Sequence, residues 1–235
     1  MAPDPNAIGA FVFDAYGTLF DVASAARGCT EALGAQTAAR LTSLWRDKQL
    51  QYSWLRAVQG RHADFWQVTG EALDFALDAL ELAQNGLRER LMQLYLRLDP
   101  YPEVPAVLER LRAAGHTTAI LSNGSPAMLA AALDLAGLRA QFDHVLSVEE
   151  VGVFKPHPRV YRLACDRLGL QAGAILFVSS NGWDAWAASA FGMRALWCNR
   201  SGSAAERLPG TPEAQIRTLG ELPMPAAGGA AEPGR

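Results

Sequence analysis

The sequence predicts an α/β protein: a parallel sheet with helices on both faces, and a helical cap inserted after the first strand. Three observations lead there. From Val104 onward, apolar runs of strand length alternate with amphipathic stretches that stop at glycines. The first apolar run, Phe11-Val12-Phe13, ends in Asp14 with a turn at Gly17, which reads as a buried strand delivering a carboxylate at its C-terminal end. Between the two, residues 21–98 show helical periodicity and no convincing strand.

The elements follow in order. Val22–Leu33 reads as a helix stopped by Gly34, and Ala38–Val58 as a long helix ending before Gly60. The long helix has one apolar stripe through Leu41, Leu44, Trp45, Tyr52 and Leu55 and a second through Leu50, Trp54 and Val58. A helix apolar on two sides must be covered on two sides, by the core and by either a neighbouring helix or a second subunit. Phe65–Leu82 and Leu87–Leu98 complete the insert. The proline-dense stretch Asp99–Pro105 reads as a hinge back to the core. Then come helix Val104–Ala114, strand Thr117–Leu121, a helix opened by the Ser125-Pro126 cap pair and ended by Gly137, and strand His144–Val148. Helix Pro158–Leu168, strand Ala174–Val178, helix Trp183–Phe191 and strand Arg194–Cys198 close the pattern. The architecture is a Rossmann-like core, residues 1–20 and 99–222, with a cap at 21–98; the Pro/Gly/Ala-rich tail 223–235 reads as disordered.

Composition narrows the function. A chain of 235 residues, half apolar and 19% charged, suffices for one core with an insert. The net charge of −3 offers no basic face to nucleic acid. Three dispersed cysteines, Cys29, Cys165 and Cys198, suit reduced thiols in the cytoplasm rather than a disulfide framework or zinc site. No stretch has the length of a membrane span or the pattern of a targeting signal.

Four polar stations each follow an apolar strand or loop. An isolated strand-end Asp usually caps a turn; Asp14 is lifted above that reading by the three that follow. Ser122-Asn123-Gly124-Ser125 sits before a helix start, where backbone N–H groups favour anions. Lys155, between Phe154 and Pro156, has the charge to hold a nearby carboxylate ionised. Ser179-Ser180-Asn181-Gly182-Trp183-Asp184 follows the third of these apolar strands.

Asp14-Ala-Tyr-Gly-Thr18 resembles the first motif of the haloacid dehalogenase superfamily, in which the aspartate is a nucleophile. Phosphatases of that superfamily carry Asp-x-Asp; here Tyr16 replaces the second acid, and Asn181 and Ser179 stand where magnesium ligands would be expected. The Ser-Ser-Asn-x-Trp-Asp string and the cap segment Leu44–Arg56 are similar to the L-2-haloacid dehalogenase branch. The resemblance runs from about Ala7 to Leu222, with the motifs in order.

It implies hydrolytic dehalogenation of short L-2-haloalkanoates to D-2-hydroxy acids, with no metal and no cofactor. It implies an ester on Asp14, oriented and neutralised by Thr18 and Lys155. Ser122 would hold the substrate carboxylate. Arg46 and Asn123, with the edge of Trp183, would receive the halide. Asp184 and Asn181 would direct water, while Ser179 and Tyr161 steady Lys155 and Asp184. Tyr16, Leu50, Phe65 and Trp183 would wall the alkyl pocket. The partners implied are the 2-haloacid, the halide ion and a second subunit, a homodimer through the cap helix. Two departures from the branch are Phe154, where a tyrosine is common, and Asp47 beside Arg46, where an amide is common. The rival readings are a magnesium-dependent phosphatase on the same scaffold, and a binding protein that has lost catalysis.

Overall fold

The computed structural model describes residues 8–27, 33–82 and 86–223. Among these, six strands form one parallel sheet: β1 Ala10–Phe13, β2 Thr117–Ser122, β3 His144–Ser147, β4 Ile175–Ser179, β5 Arg194–Cys198 and β6 Ala214–Ile216. Their order is β3-β2-β1-β4-β5-β6. All four residues of β1 and all five of β4 are buried, as expected of strands covered on both faces. Phe13 is in register with Ile120 of β2 on one side and Val178 of β4 on the other. The next residue along, Asp14, therefore emerges level with the C-terminal ends of both neighbours. The strand order reverses beside β1, and that is where open α/β sheets form their ligand crevice.

After β1 the chain leaves the sheet. Helices α1 Ala23–Arg27, α2 Ala35–Gln59, α3 Phe65–Ala79 and α4 Leu87–Tyr95 make up the insert. The outgoing and returning segments touch: Asp21 N–H donates to the Asp99 carbonyl at 2.9 Å, and Tyr101 N–H to the Leu19 carbonyl at 2.9 Å. Phe20 and Pro100 form an antiparallel bridge between them. Helices α5 Val104–Ala113, α6 Pro126–Leu135, α7 Pro158–Leu168 and α8 Gly182–Phe191 then alternate with the remaining strands.

The departures from expectation have local causes. Helix α3 stops at Ala79 rather than Leu82, and Glu81 two residues on takes a positive φ of 54°. Helix α4 stops at Tyr95 rather than Leu98, with Leu96 as its C-cap and the chain passing through a turn before the proline-dense return. Ser125 occupies the N-cap of α6, but its side chain makes no capping bond. Strand β3 ends at Ser147 because Val148 already belongs to a 3₁₀ turn. Strand β6 was not foreseen: it is three residues long at the sheet edge, with only Ile216 buried, so it carries no apolar run.

The stripes of α2 also differ. Its buried residues are Ala38, Leu41, Trp45, Gln49 and Ser53. Leu55 is half exposed, while Trp54 and Val58, the latter 87% exposed, line a groove facing Pro156, His157 and Trp183 of the core, with the Trp54 and Trp183 ring centroids 5.4 Å apart. The inward face thus carries two polar residues that apolar periodicity passes over. Cys29 and the tail beyond Pro223 lie outside the described residues.

Candidate active site

Asp14 is 5% exposed and sits among donors from three elements. Its Oδ2 accepts from Asn181 Nδ2 at 2.8 Å, from Thr18 Oγ1 at 3.1 Å and, at the long end, from Ser179 Oγ at 3.4 Å. Its Oδ1 accepts from Lys155 Nζ at 3.1 Å. The Thr18 hydroxyl is oriented in turn: the Ser180 amide donates to its oxygen at 2.8 Å, which leaves its proton for Asp14 or for Ser180 Oγ at 2.9 Å.

Lys155 is the hub behind this carboxylate. Its ammonium bridges Asp14 and, at 2.8 Å, Asp184 Oδ2, and it is 1% exposed. The loop that carries it is pinned by its own amide, which donates to Asn123 Oδ1 at 3.0 Å. Tyr161 donates to the other Asp184 oxygen at 2.7 Å. Burial alone would lower the Lys155 pKa, but the charges of Asp14 and Asp184 outweigh it and raise it above the ordinary value of 10.5. Burial raises the Asp184 pKa, with the Asp14 charge adding to it against the pull of Lys155. Burial also drives the Tyr161 and Tyr16 hydroxyls well above 10.0, so both remain protonated donors at neutral pH.

The inserted helices pack against this arrangement. Arg46, from α2, donates through Nη2 to Asn181 Oδ1 at 3.1 Å and through Nη1 to Gln49 Oε1 at 2.6 Å. Asn181 thus faces both ways, with its amide nitrogen on Asp14 and its oxygen on Arg46. Tyr16 stacks on Tyr95 of the cap with ring centroids 5.6 Å apart and tilts against Phe65 at 6.1 Å. Gly124 makes room for the Tyr16 ring: a Cβ at that position would lie 2.6 Å from Tyr16 Cε2.

A cavity of about 10 Å³, close to the volume of one water-sized probe, is lined by Asp14, Tyr16, Arg46, Leu50, Phe65, Ser122, Asn123, Lys155, Asn181 and Trp183. These are ten of the fourteen residues expected from sequence. The other four lie behind them: Thr18 and Ser179 as partners of Asp14, Asp184 as a partner of Lys155, and Tyr161 as a partner of Asp184. One pairing differs from expectation. Ser179, expected to steady Lys155 and Asp184, bonds instead to Asp14 and receives the Asn181 amide at 3.1 Å. Ser122 is fully buried and accepts from the Gly124 amide at 3.1 Å.

The two departures from the branch pattern are also placed. Asp47 is exposed, while the Arg46 guanidinium bonds to Gln49 and Asn181. Phe154 is fully buried between the rings of His62 and Phe65. Sequence reasoning missed Gln49, Thr69, Tyr95 and Ser180. The available signal was Gln49 in helical register with Leu41 and Trp45, a polar group at a position predicted to be inside.

Comparison with known proteins agrees with this geometry. A family model described as haloacid dehalogenase-like hydrolase matches residues 8–192. A (S)-2-haloacid dehalogenase of Pseudomonas sp. (strain CBS-3) is 46% identical over 218 residues, covering 92% of this chain and 96% of the relative. The chain belongs to the (S)-2-haloacid dehalogenases of that hydrolase family. Among solved structures, a dehalogenase with an intermediate complex superposes with a TM-score of 0.90 at 44% identity, covering 92% of this chain and 96% of the other. The L-2-haloacid dehalogenase of Xanthobacter autotrophicus with chloropropionic acid covalently bound gives a TM-score of 0.84 at 41% identity, with 92% and 96% covered. No helix among the described residues is long and apolar enough to cross a membrane.

Proposed function

We propose that this dehalogenase hydrolyses short L-2-haloalkanoates to D-2-hydroxy acids and halide through an ester on Asp14. The observation that carries the reading is the unequal engagement of the Asp14 carboxylate. Oδ2 accepts from three side chains, and Oδ1 only from Lys155. Oδ1 therefore keeps the freer lone pairs and is the attacking atom. It approaches the halogen-bearing carbon from behind, the carbon–halogen bond breaks with its electron pair leaving on the halide, and configuration inverts. Water then adds to the carboxyl carbon of the Asp14 ester and releases the product.

Each residue has a task in that sequence. Lys155 balances the charge of Asp14, lost on esterification and restored on hydrolysis. Ser122 and the amides at the start of α6 bind the substrate carboxylate. Arg46, Asn123 and the Trp183 edge receive the halide. Asp184 takes the proton of the attacking water with Asn181 orienting it, and its raised pKa makes it the better base. Tyr16, Leu50, Phe65 and Trp183 exclude bulk solvent from the alkyl group. The Lys155 ammonium stands between Asp14 and Asp184, where a metal ion would otherwise balance two carboxylates, which supports a reaction that needs no metal.

A cavity this small calls for the insert, residues 21–98, to move as a cap before substrate is admitted, with its pivot at the paired segments around Phe20 and Pro100. The half-exposed Leu55 on α2 supports a homodimer through the cap helix, which a monomer mass in light scattering would refute. Two buried free thiols, Cys165 and Cys198, suit a cytoplasmic setting. The 2-haloacid and halide are the partners; a net charge of −3 favours neither nucleic acid nor an anionic membrane.

The deciding experiment follows halide release from L- and D-2-chloropropionate in EDTA. Release from the L-isomer alone, lost in Asp14→Asn, is the expected result. Phosphate release from an ester on adding Mg²⁺, with no halide release from either isomer, would overturn the reading.

A further inference from the structure

We propose that Gln49 is a positioning residue that aims the Arg46 guanidinium at the departing halide; the inference rests on the halide role assigned to Arg46 above. Gln49 does not line the cavity. It lies one helical turn from Arg46 on α2 and is 1% exposed. A fully buried amide needs partners for both its ends, and each end is spoken for. Its Nε2 donates to Thr69 Oγ1 at 2.7 Å and to the Tyr95 hydroxyl at 3.0 Å. With both amide hydrogens committed, Oε1 is fixed in direction, and it accepts from Arg46 Nη1 at 2.6 Å, with the Tyr95 hydroxyl also 3.3 Å from it. An arginine on a helix face normally has wide rotamer freedom. Here one arm is held by a cap residue that is itself held by α3 and α4.

The anchoring points are also those that shape the pocket. The Thr69 hydroxyl donates to the Phe65 carbonyl at 2.7 Å, and Phe65 is a pocket wall. Tyr95 stacks on Tyr16, another wall. Trp45, the residue before Arg46, donates its indole N–H to the Thr69 carbonyl at 2.8 Å. The direction of the guanidinium is thus set by the same three helices that set pocket width. The other arm, Nη2, rests on Asn181 at 3.1 Å, and this neutral contact can be exchanged for a halide while Gln49 keeps hold of Nη1.

2-Chloro- and 2-bromopropionate serve as the test pair, since they share carboxylate and alkyl group and differ in the leaving group alone. Their kcat/KM ratio reports ester formation whichever later step limits turnover. Chloride, the poorer leaving group, depends more on a well-aimed cation. Gln49→Met, which keeps the shape and removes the acceptor, should raise the bromo-to-chloro ratio by about tenfold and weaken product inhibition by halide. Arg46→Lys should do the same, and the double variant should move the ratio no further than Arg46→Lys alone. Tyr95→Phe, which removes one anchor of Gln49 and keeps the ring, provides a milder variant and should move the ratio in the same direction by about twofold.

An unchanged ratio in both Gln49→Met and Tyr95→Phe, with Arg46→Lys shifted, would overturn the proposal and leave the Arg46 reading standing. An unchanged ratio in Arg46→Lys would overturn the halide role of Arg46, and this inference with it. An equal loss of kcat/KM for both substrates in Gln49→Met would make Gln49 merely structural and overturn the proposal as well.

Discussion

On the core side of the pocket, Asp14, Lys155 and Asp184 form a buried row of alternating charge, each fixed by at least two side chains or by a strand-end backbone. On the cap side of the pocket, Arg46 is held at one arm by the buried Gln49 amide of its own helix and touches the core at one neutral amide. The first arrangement is stiff, because a buried charge cannot give up its partner cheaply. The second is more easily exchanged at Arg46 itself, where opening costs one neutral hydrogen bond that water can replace. Around it the Tyr16–Tyr95 and Phe65–Phe154 ring contacts and the His62–Glu149 hydrogen bond at 2.9 Å must also part. The contrast suits a division of labour: the core holds the groups that make and break bonds, and the cap holds the groups that choose and release.

Lys155→Met tests the stiff side and should have the largest effect. It leaves Asp14 and Asp184 facing each other without a cation; activity should vanish, and stability should fall by about 3–5 kcal/mol in denaturant unfolding. A stable, active variant would mean that the row is not held by charge. Arg46→Lys tests the exchangeable side: turnover of 2-chloropropionate should fall about a hundredfold, while the unfolding midpoint stays nearly unchanged. If it destabilised the protein as much as Lys155→Met, the contrast between the two faces would be lost. Gly124→Ala lies between them. Its methyl group would displace the Tyr16 ring from the core side of the pocket, so kcat/KM for longer 2-haloacids should change by roughly tenfold more than that for 2-chloropropionate.

The smallest effect concerns pH. Because the Lys155 pKa is raised in the folded state, its stabilising contribution is fully present below the ordinary lysine value of 10.5 and is lost as pH rises through the folded value. The stability difference between wild type and Lys155→Met should therefore stay level from neutrality to about 10.5 and shrink above it, which chemical unfolding at a series of pH values would reveal. A decline beginning near neutrality would place the lysine in a far less favourable field.

The stiff face was also the more legible in sequence. Asp14, Ser122 and Ser179 stand at or just beyond the ends of short apolar runs, so the strand pattern delivered them together with the fold. The cap was read less well, for a physical reason. Its inward face buries Gln49 and Ser53 beside Leu41 and Trp45, and a pattern built on apolar spacing looks past polar residues that satisfy one another inside. It also overvalues an apolar residue such as Leu55, which is half exposed. Strand β6 escaped because an edge strand with one buried residue leaves almost no trace in composition.

The paired segments around Phe20 and Pro100 carry a consequence for ancestry. Because the chain departs and returns through residues already bonded to each other, the ends of the inserted piece are as close as those of a hairpin turn. The sheet closes the same way whatever is spliced between them, since β1 and β2 take their register from Ala10–Phe13 paired with Thr117–Ile120, none of which belongs to the insert. A scaffold with such a seam can exchange what it carries there without relearning how to fold, so new substrates can be acquired by grafting while the reactive aspartate stays where it is.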